Sequence, residues 1–324
     1  MIDWRPSSGV AAARRRSAML GRARRYFADE DVLDVSTPAL GHYAASDPNI
    51  DSLTARSHSG ARYVLHTSPE SCMKRLLADG YPDIYSIGPV FRDGELGRRH
   101  VPEFTMIEWY RLGFGLDEII GDTVRLVAAC LDANPLEKTV ARIDYAVAFR
   151  EYGDIDPFVA TSADLAAAAS ADERLRREIG DERDTWLDLI ISTVIAPQFP
   201  ADRLTVLQHY PASQAALARP CPNDDRVADR FELFLGDMEL ANGYVELTDP
   251  AEQRRRIDAD LDKRQRLGRG VHPWDRALIE ALEHGLPECA GVALGLERLQ
   301  MVFDHTDDIR EVMTFAFESH DDPT

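Results

Sequence analysis

A run of charged and aromatic residues, Arg92-Asp93-Gly94-Glu95-Leu96-Gly97-Arg98-Arg99-His100-Val101-Pro102-Glu103-Phe104, leads into the apolar stretch Met106-Ile107-Glu108-Trp109-Tyr110. A solvated hairpin tip accounts for the charge, but not for a histidine, a phenylalanine and a terminal tyrosine placed to return toward one cavity. Guanidinium, imidazole and carboxylate groups gathered in this way suit the handling of a charged ligand. Glu232, Glu239 and Glu246 form a second constellation, spaced seven and seven. They are either exposed acidic strand positions or acids converging on one cavity. Seven is odd, so Glu239 and Glu246 face opposite sides of a regular strand. They share a cavity only if Asn242-Gly243 makes a bulge or bend.

The elements that must position these residues can be read from periodicity. Apolar residues recur at helical spacing over 14–27, and 32–37 then reads as a strand stopped by Pro38. Residues 62–66 and 84–91 are short strands, Ser68-Pro69-Glu70 opens a helix through Leu77, and Met106 begins a buried strand to Leu112. Residues 117–131 and 186–195 each carry one apolar helical face. Residues 204–208 and 231–235 alternate as strands, the second turning at Gly236-Asp237 into a returning strand from Met238. The expectation is an α+β fold, a mainly antiparallel β-sheet flanked by helices. The alanine-rich, acidic stretch 150–183 reads as a solvated helical insertion without chemistry.

Composition narrows the function. The chain has 324 residues, 44% hydrophobic and 29% charged, which excludes disorder, collagen and coiled coil. With 56 acidic against 37 basic residues the net charge is −19, which disfavours a general nucleic-acid binder. Cys72, Cys130, Cys221 and Cys289 lie far apart without a C-x-x-C pair, so a reducing cytoplasm is expected. No apolar run is long enough to cross a bilayer, so no membrane association is expected. Neither glycine-rich phosphate-binding turn is present, so an ATP site would be of another type.

These motifs together resemble the catalytic core of class II aminoacyl-tRNA synthetases. Pro38 matches motif 1, residues 92–110 match motif 2, and residues 291–298 (GVALGLER) match motif 3. Residues 68–76, Tyr210-Pro211-Ala212-Ser213-Gln214 and Glu239-Leu240-Ala241-Asn242-Gly243 place it in the lysyl branch. It is most similar there to the free-standing ligases that attach β-lysine to elongation factor P.

The resemblance implies a set of roles. An amino-acid carboxylate attacks the α-phosphate of ATP, so two anions must be brought together. On the family pattern Arg92 forks onto the α-phosphate and the carboxylate, Arg298 onto the far phosphate, and His100 supports the phosphate tail. Phe104 stacks on adenine, sandwiched against Arg298, while Glu95 or Glu103 reads its edge, with Asp93, Leu240 and Gly295 completing the ATP site. Glu232 and Glu239 hold Mg²⁺. Glu246 and Tyr110 hold the distal ammonium of a lysine-like substrate, and Glu70 with Ser68 the one near the carboxylate, beside Asn242. Ala293 stands where lysyl-tRNA synthetases usually have glycine. Its methyl would favour an amine one carbon further along, by about 1 to 3 kcal/mol. Two departures from the pattern are Val101, where asparagine is usual, and the shifted acid of Asp93-Gly94-Glu95.

The resemblance further implies a single catalytic domain over 1–324, without an anticodon-binding domain because the motif 1 helix begins near Arg14. It implies a homodimer with no stable tRNA binding. The expected function is ATP-dependent activation of (R)-β-lysine or lysine and its transfer to a lysine of elongation factor P. The alternatives are a tRNA-independent enzyme making a free aminoacyl product, a truncated enzyme charging tRNA, and a silent scaffold. Arg14, Arg15, Arg16, Arg22, Arg24 and Arg25 form either an attractive surface for an acidic partner or a solvated helix face.

Overall fold

The computed structural model describes residues 4–132, 140–215, 217–270 and 272–317. Its centre is an eight-stranded sheet in the order Leu33–Asp34, Ile84–Phe91, Glu103–Leu112, Cys289–Gly295, Met238–Val245, Arg230–Leu235, Leu204–Gln208 and Ala141–Asp144. The six inner strands pair antiparallel, while each edge strand pairs parallel to its neighbour. With the flanking helices this is the expected α+β fold. The strand expected over 32–37 forms only Leu33–Asp34.

Period-two alternation decides which residues meet which layer. Ile107, Trp109, Val292, Leu294, Phe231 and Leu233 turn into a core closed by the helices Val10–Asp29, Leu116–Leu131 and Leu296–Asp304. The alternate residues Glu108, Tyr110, Gly291, Ala293, Arg230 and Glu232 therefore face the other side. That second face is covered at its ends by two further helical packs. Met73, Leu77, Ile257 and Leu282 belong to one, and Phe149, Trp186 and Ile190 to the other, leaving a gap between them.

The second pack includes the stretch expected to be a solvated insertion. Helices Tyr145–Gly153, Ser162–Ala168, Glu173–Ile179 and Arg183–Ile190 bury Leu165, Ala166 and Trp186 against Leu207 and Phe234 of the sheet and Tyr210 just beyond it. The 186–195 helix changes to π geometry over Ile191–Ile195. There the Ser192 and Thr193 hydroxyls donate to the Leu189 carbonyl and compete for the helical acceptor.

The arginine-rich first helix is partly an internal clamp. Arg15 reaches Asp304 at 3.0 Å, Arg22 the Cys130 carbonyl at 2.8 Å, and Arg16 the Glu297 carboxylate at 2.9 Å and Thr105 Oγ1 at 2.7 Å. The other oxygen of buried Glu297 accepts the Thr105 backbone N–H at 2.9 Å. One carboxylate thus ties together the elements carrying all three motifs.

Candidate active site

The gap on the second face is a cavity of about 540 Å³, walled by Arg92, Glu95, Phe104, Glu232, Glu239 and Arg298 among others. Strand register explains why distant residues converge. Glu232 lies opposite Asn242, Asn242 opposite Ala293, and Ala293 opposite Glu108, in one row across four strands. The next row holds Arg230, Tyr244, Gly291 and Tyr110. A Cβ on Gly291 would stand 2.5 Å from the Tyr110 ring and 2.6 Å from Glu246 Oε1, so this position needs glycine for close approach.

The parity problem of Glu239 and Glu246 is solved by a bulge, but not at Asn242-Gly243. Leu233 pairs with Ala241 and Phe234 with Glu239, which leaves Leu240 as the extra residue. Gly243 instead packs on the opposite face, where a Cβ would come 2.7 Å from both Phe231 and Val292. Glu239 is thereby returned to the cavity side with Asn242, and both line it.

In the half of the cavity walled by the motif 2 and motif 3 arginines, Arg92 lies with its guanidinium 5.1 Å from the Phe104 ring centre and 3.7 Å from Glu95. Its Nε is buried without a hydrogen-bond partner among the described residues, which suits an incoming anion. Arg298 donates to Glu239 Oε2 at 3.0 Å and meets His100 Nε2 at 2.5 Å. Arg298 is thus held between Glu239 and His100. Burial, then the Arg298 charge, hold His100 below its ordinary value. Burial alone would raise Glu239, but Arg298 pulls it below the usual carboxylate range. Burial, then the charge of Glu239, push Glu232 up to about 7. Two carboxylates lining one cavity, one of them raised by the other's charge, fit a divalent cation. His100, Leu240 and Gly295 also line the cavity. Asp93 and Glu103 are not among its lining residues. Asp93 is exposed and accepts from Gly94 N–H, and Glu103 is exposed at the start of its strand.

Beside Ala293 and Asn242 the wall continues into a buried polar cluster. Ser68 Oγ donates to Glu108 Oε2 at 2.7 Å and accepts the Glu70 N–H at 3.0 Å. Tyr110 donates to Glu108 Oε1 at 2.9 Å, and Tyr244 to Glu70 at 2.8 Å. Lys74 Nζ stands 2.6 Å from Glu70 and 2.5 Å from Glu246. Burial alone would lower Lys74, but Glu246 and Glu70 hold it charged. Burial and the Glu70 charge push Glu108 up to about 8.

Three residues of this site carry no role in the sequence reading. Glu108 shares strand parity with Tyr110, which was its available signal. Lys74 is i+4 from Glu70 on one helix, the spacing of a side-chain pair. Arg230 begins its strand with no motif to mark it, yet it grips Glu232 at 2.6 Å and the Asn242 side-chain oxygen at 3.2 Å, with its guanidinium 4.3 Å over the Tyr210 ring.

Comparison with known proteins agrees with this arrangement. Residues 1–319 match the family model of class II tRNA synthetases (D, K and N). The chain is 41% identical to the elongation factor P–(R)-beta-lysine ligase of Photorhabdus laumondii over 97% of each chain. Identity to the ligase of that name is 40% in Yersinia enterocolitica, again over 97% of each chain, and 36% in Haemophilus influenzae over 98% of each. The family model and these relatives, each matching the chain almost end to end, leave one assignment: the chain belongs to the class II tRNA synthetase family, in the group that includes D, K and N.

Proposed function

We propose that this ligase uses ATP to activate (R)-β-lysine, or lysine, as an aminoacyl adenylate and passes the acyl group to a lysine side chain of elongation factor P. The observation that carries this reading is the charge count of the buried cluster. Glu70, Glu108 and Glu246 are set against Lys74 alone. Burial pushes both Glu108 and Glu246 up to about 8, so these two acids ionise when cations arrive to match them, and a diamine brings two ammonium groups. Arg92, at the junction with the nucleotide half, is placed to take the carboxylate of the same molecule.

In this mechanism Glu246 and Tyr110 hold the distal ammonium, and Glu70, Ser68 and Glu108 the proximal one. Arg92 pairs with the carboxylate and the α-phosphate, so that attack on phosphorus proceeds with the repulsion between anions offset. Arg298 and His100 hold the outer phosphates, and Phe104 offers its ring to adenine. Glu232 and Glu239 are the residues that would hold Mg²⁺, which supplies neutralisation of phosphate charge. Pyrophosphate leaves. The acceptor lysine then attacks the adenylate carbonyl as a neutral amine, and AMP departs with its oxygen.

The Ala293 methyl, facing the cavity between Asn242 and Glu108, supports the β-amino acid over the α-amino acid. The relatives' names supply the acceptor, and the net charge of −19 disfavours stable tRNA binding. Among the described residues no helix is long and apolar enough to cross a membrane. A cytoplasmic homodimer, paired through the motif 1 helices, completes the reading. Incubation with ATP, (R)-β-lysine and purified elongation factor P, followed by mass spectrometry of the factor, tests it. A gain of one lysyl group on a lysine supports the proposal; an unmodified factor with consumed ATP favours a free aminoacyl product instead.

A further inference from the structure

Behind the Arg230 and Tyr210 pair, three segments bring together residues that the proposed reaction does not use. His209 follows the strand Leu204–Gln208, Asp229 precedes the strand Arg230–Leu235, and Cys221 ends the short strand Pro220–Cys221. The His209 N–H donates to the Arg230 carbonyl, and the Asp229 N–H to the Arg219 carbonyl, each at 2.9 Å, which holds the segments in register. One nitrogen, one sulfur and one oxygen from the three side chains lie within 4.8 Å of one another.

The remaining atoms of these side chains are already engaged. His209 Nδ1 is 2.9 Å from Asp144 Oδ1, a contact that leaves Nε2 with the free lone pair. A carboxylate behind a histidine is the usual outer support of a metal-binding imidazole. Arg219 donates to Asp229 Oδ2 at 2.8 and 3.2 Å, leaving Oδ1 as that carboxylate's open oxygen. Asp229 is buried, and the Cys221 thiol is free. His209 holds φ at +59°, a left-handed conformation that a non-glycine side chain keeps only where its surroundings enforce it.

We propose that His209, Cys221 and Asp229 form a binding site for one zinc ion, with water as the fourth ligand. A thiolate and an imidazole select against magnesium and calcium, which take oxygen ligands, and favour zinc at bond lengths of about 2.0 to 2.3 Å. The site is separate from Glu232 and Glu239, whose all-oxygen donors suit the other class of cation. Its effect on the reaction is one of positioning. His209 and Asp229 each precede a member of the Tyr210 and Arg230 pair, and Arg230 in turn holds Glu232 and Asn242.

The test is titration of the full-length, chelator-treated protein with Co²⁺ and then Zn²⁺. One equivalent of Co²⁺ should give a thiolate-to-cobalt charge-transfer band, and Zn²⁺ should displace it and raise the melting temperature. Cys221→Ser should lack the band and the thermal shift. Asp144→Asn, whose side chain is half exposed, should weaken zinc about 10- to 100-fold while keeping the metal-free melting temperature. A wild-type protein without the band, a band that survives Cys221→Ser, or equal zinc affinity in Asp144→Asn overturns the proposal. None of these results depends on the aminoacyl substrate.

Discussion

The Lys74 ammonium stands 2.5 Å from the Glu246 carboxylate, and both side chains are almost fully withdrawn from solvent. A buried ion pair of this kind is stable only as a pair, because removing one partner leaves the other charge uncompensated. Lys74→Met should therefore cost about 3 to 5 kcal/mol of folding stability, measured by denaturant unfolding. A loss below 1 kcal/mol, by the same measurement, would mean that the pair is not closed in solution.

Glu246→Gln tests the substrate side of the same contact. It should lower kcat/KM for the diamine by about thirtyfold or more, equivalent to about 2 kcal/mol, while KM for ATP stays unchanged. An unaltered kcat/KM would move the distal ammonium elsewhere.

Arg92→Ala separates catalysis from folding. Its guanidinium makes a 3.7 Å pair with Glu95 and a ring contact with Phe104, so the melting temperature should barely move. The rate of adenylate formation should fall about 10²- to 10³-fold, measured by pyrophosphate exchange into ATP. Retained exchange would remove Arg92 from the reaction.

Glu108 sets a pH dependence. Burial and the Glu70 charge move its carboxyl from 4.5 to about 8, and only the ionised form attracts an ammonium. KM for the diamine should therefore fall as pH rises toward 8 and level off above it, and Glu108→Gln should flatten that slope. Stability runs the other way. Between 4.5 and about 8 the folded state keeps a proton that the unfolded state has lost, so this group subtracts stability as pH rises across that window.

Ala293→Gly should shift preference from (R)-β-lysine toward lysine by about 1 to 3 kcal/mol, roughly 10- to 200-fold in the ratio of kcat/KM values. Gly291→Ala, two residues back on the same strand, should instead cost about 1 to 3 kcal/mol of stability, since its Cβ meets Tyr110 and Glu246.

The elements that carry these residues were legible because period-two and helical patterns mark them directly. The hairpin at Gly236, whose φ is +57°, had a turn residue to announce it. The bulge had none. Leu240 is an apolar residue packed in the core, and only the pairing register reveals that it is the extra one. Glu108 was hidden because a single acid between Ile107 and Trp109 reads as part of a buried strand until its partners Ser68 and Tyr110 are placed. The chemistry of Arg230 and the burial of the 150–183 helices depend on contacts between segments far apart in sequence, which local pattern does not encode.

The proposed site grips a diamine at both ammonium groups while delivering its carboxylate to ATP. Amino-acid-dependent pyrophosphate exchange, run with (R)-β-lysine and with an analogue of equal length lacking the distal amine, tests it most directly. Exchange should be rapid with the diamine and almost absent with the monoamine. Equal exchange with both would contradict it.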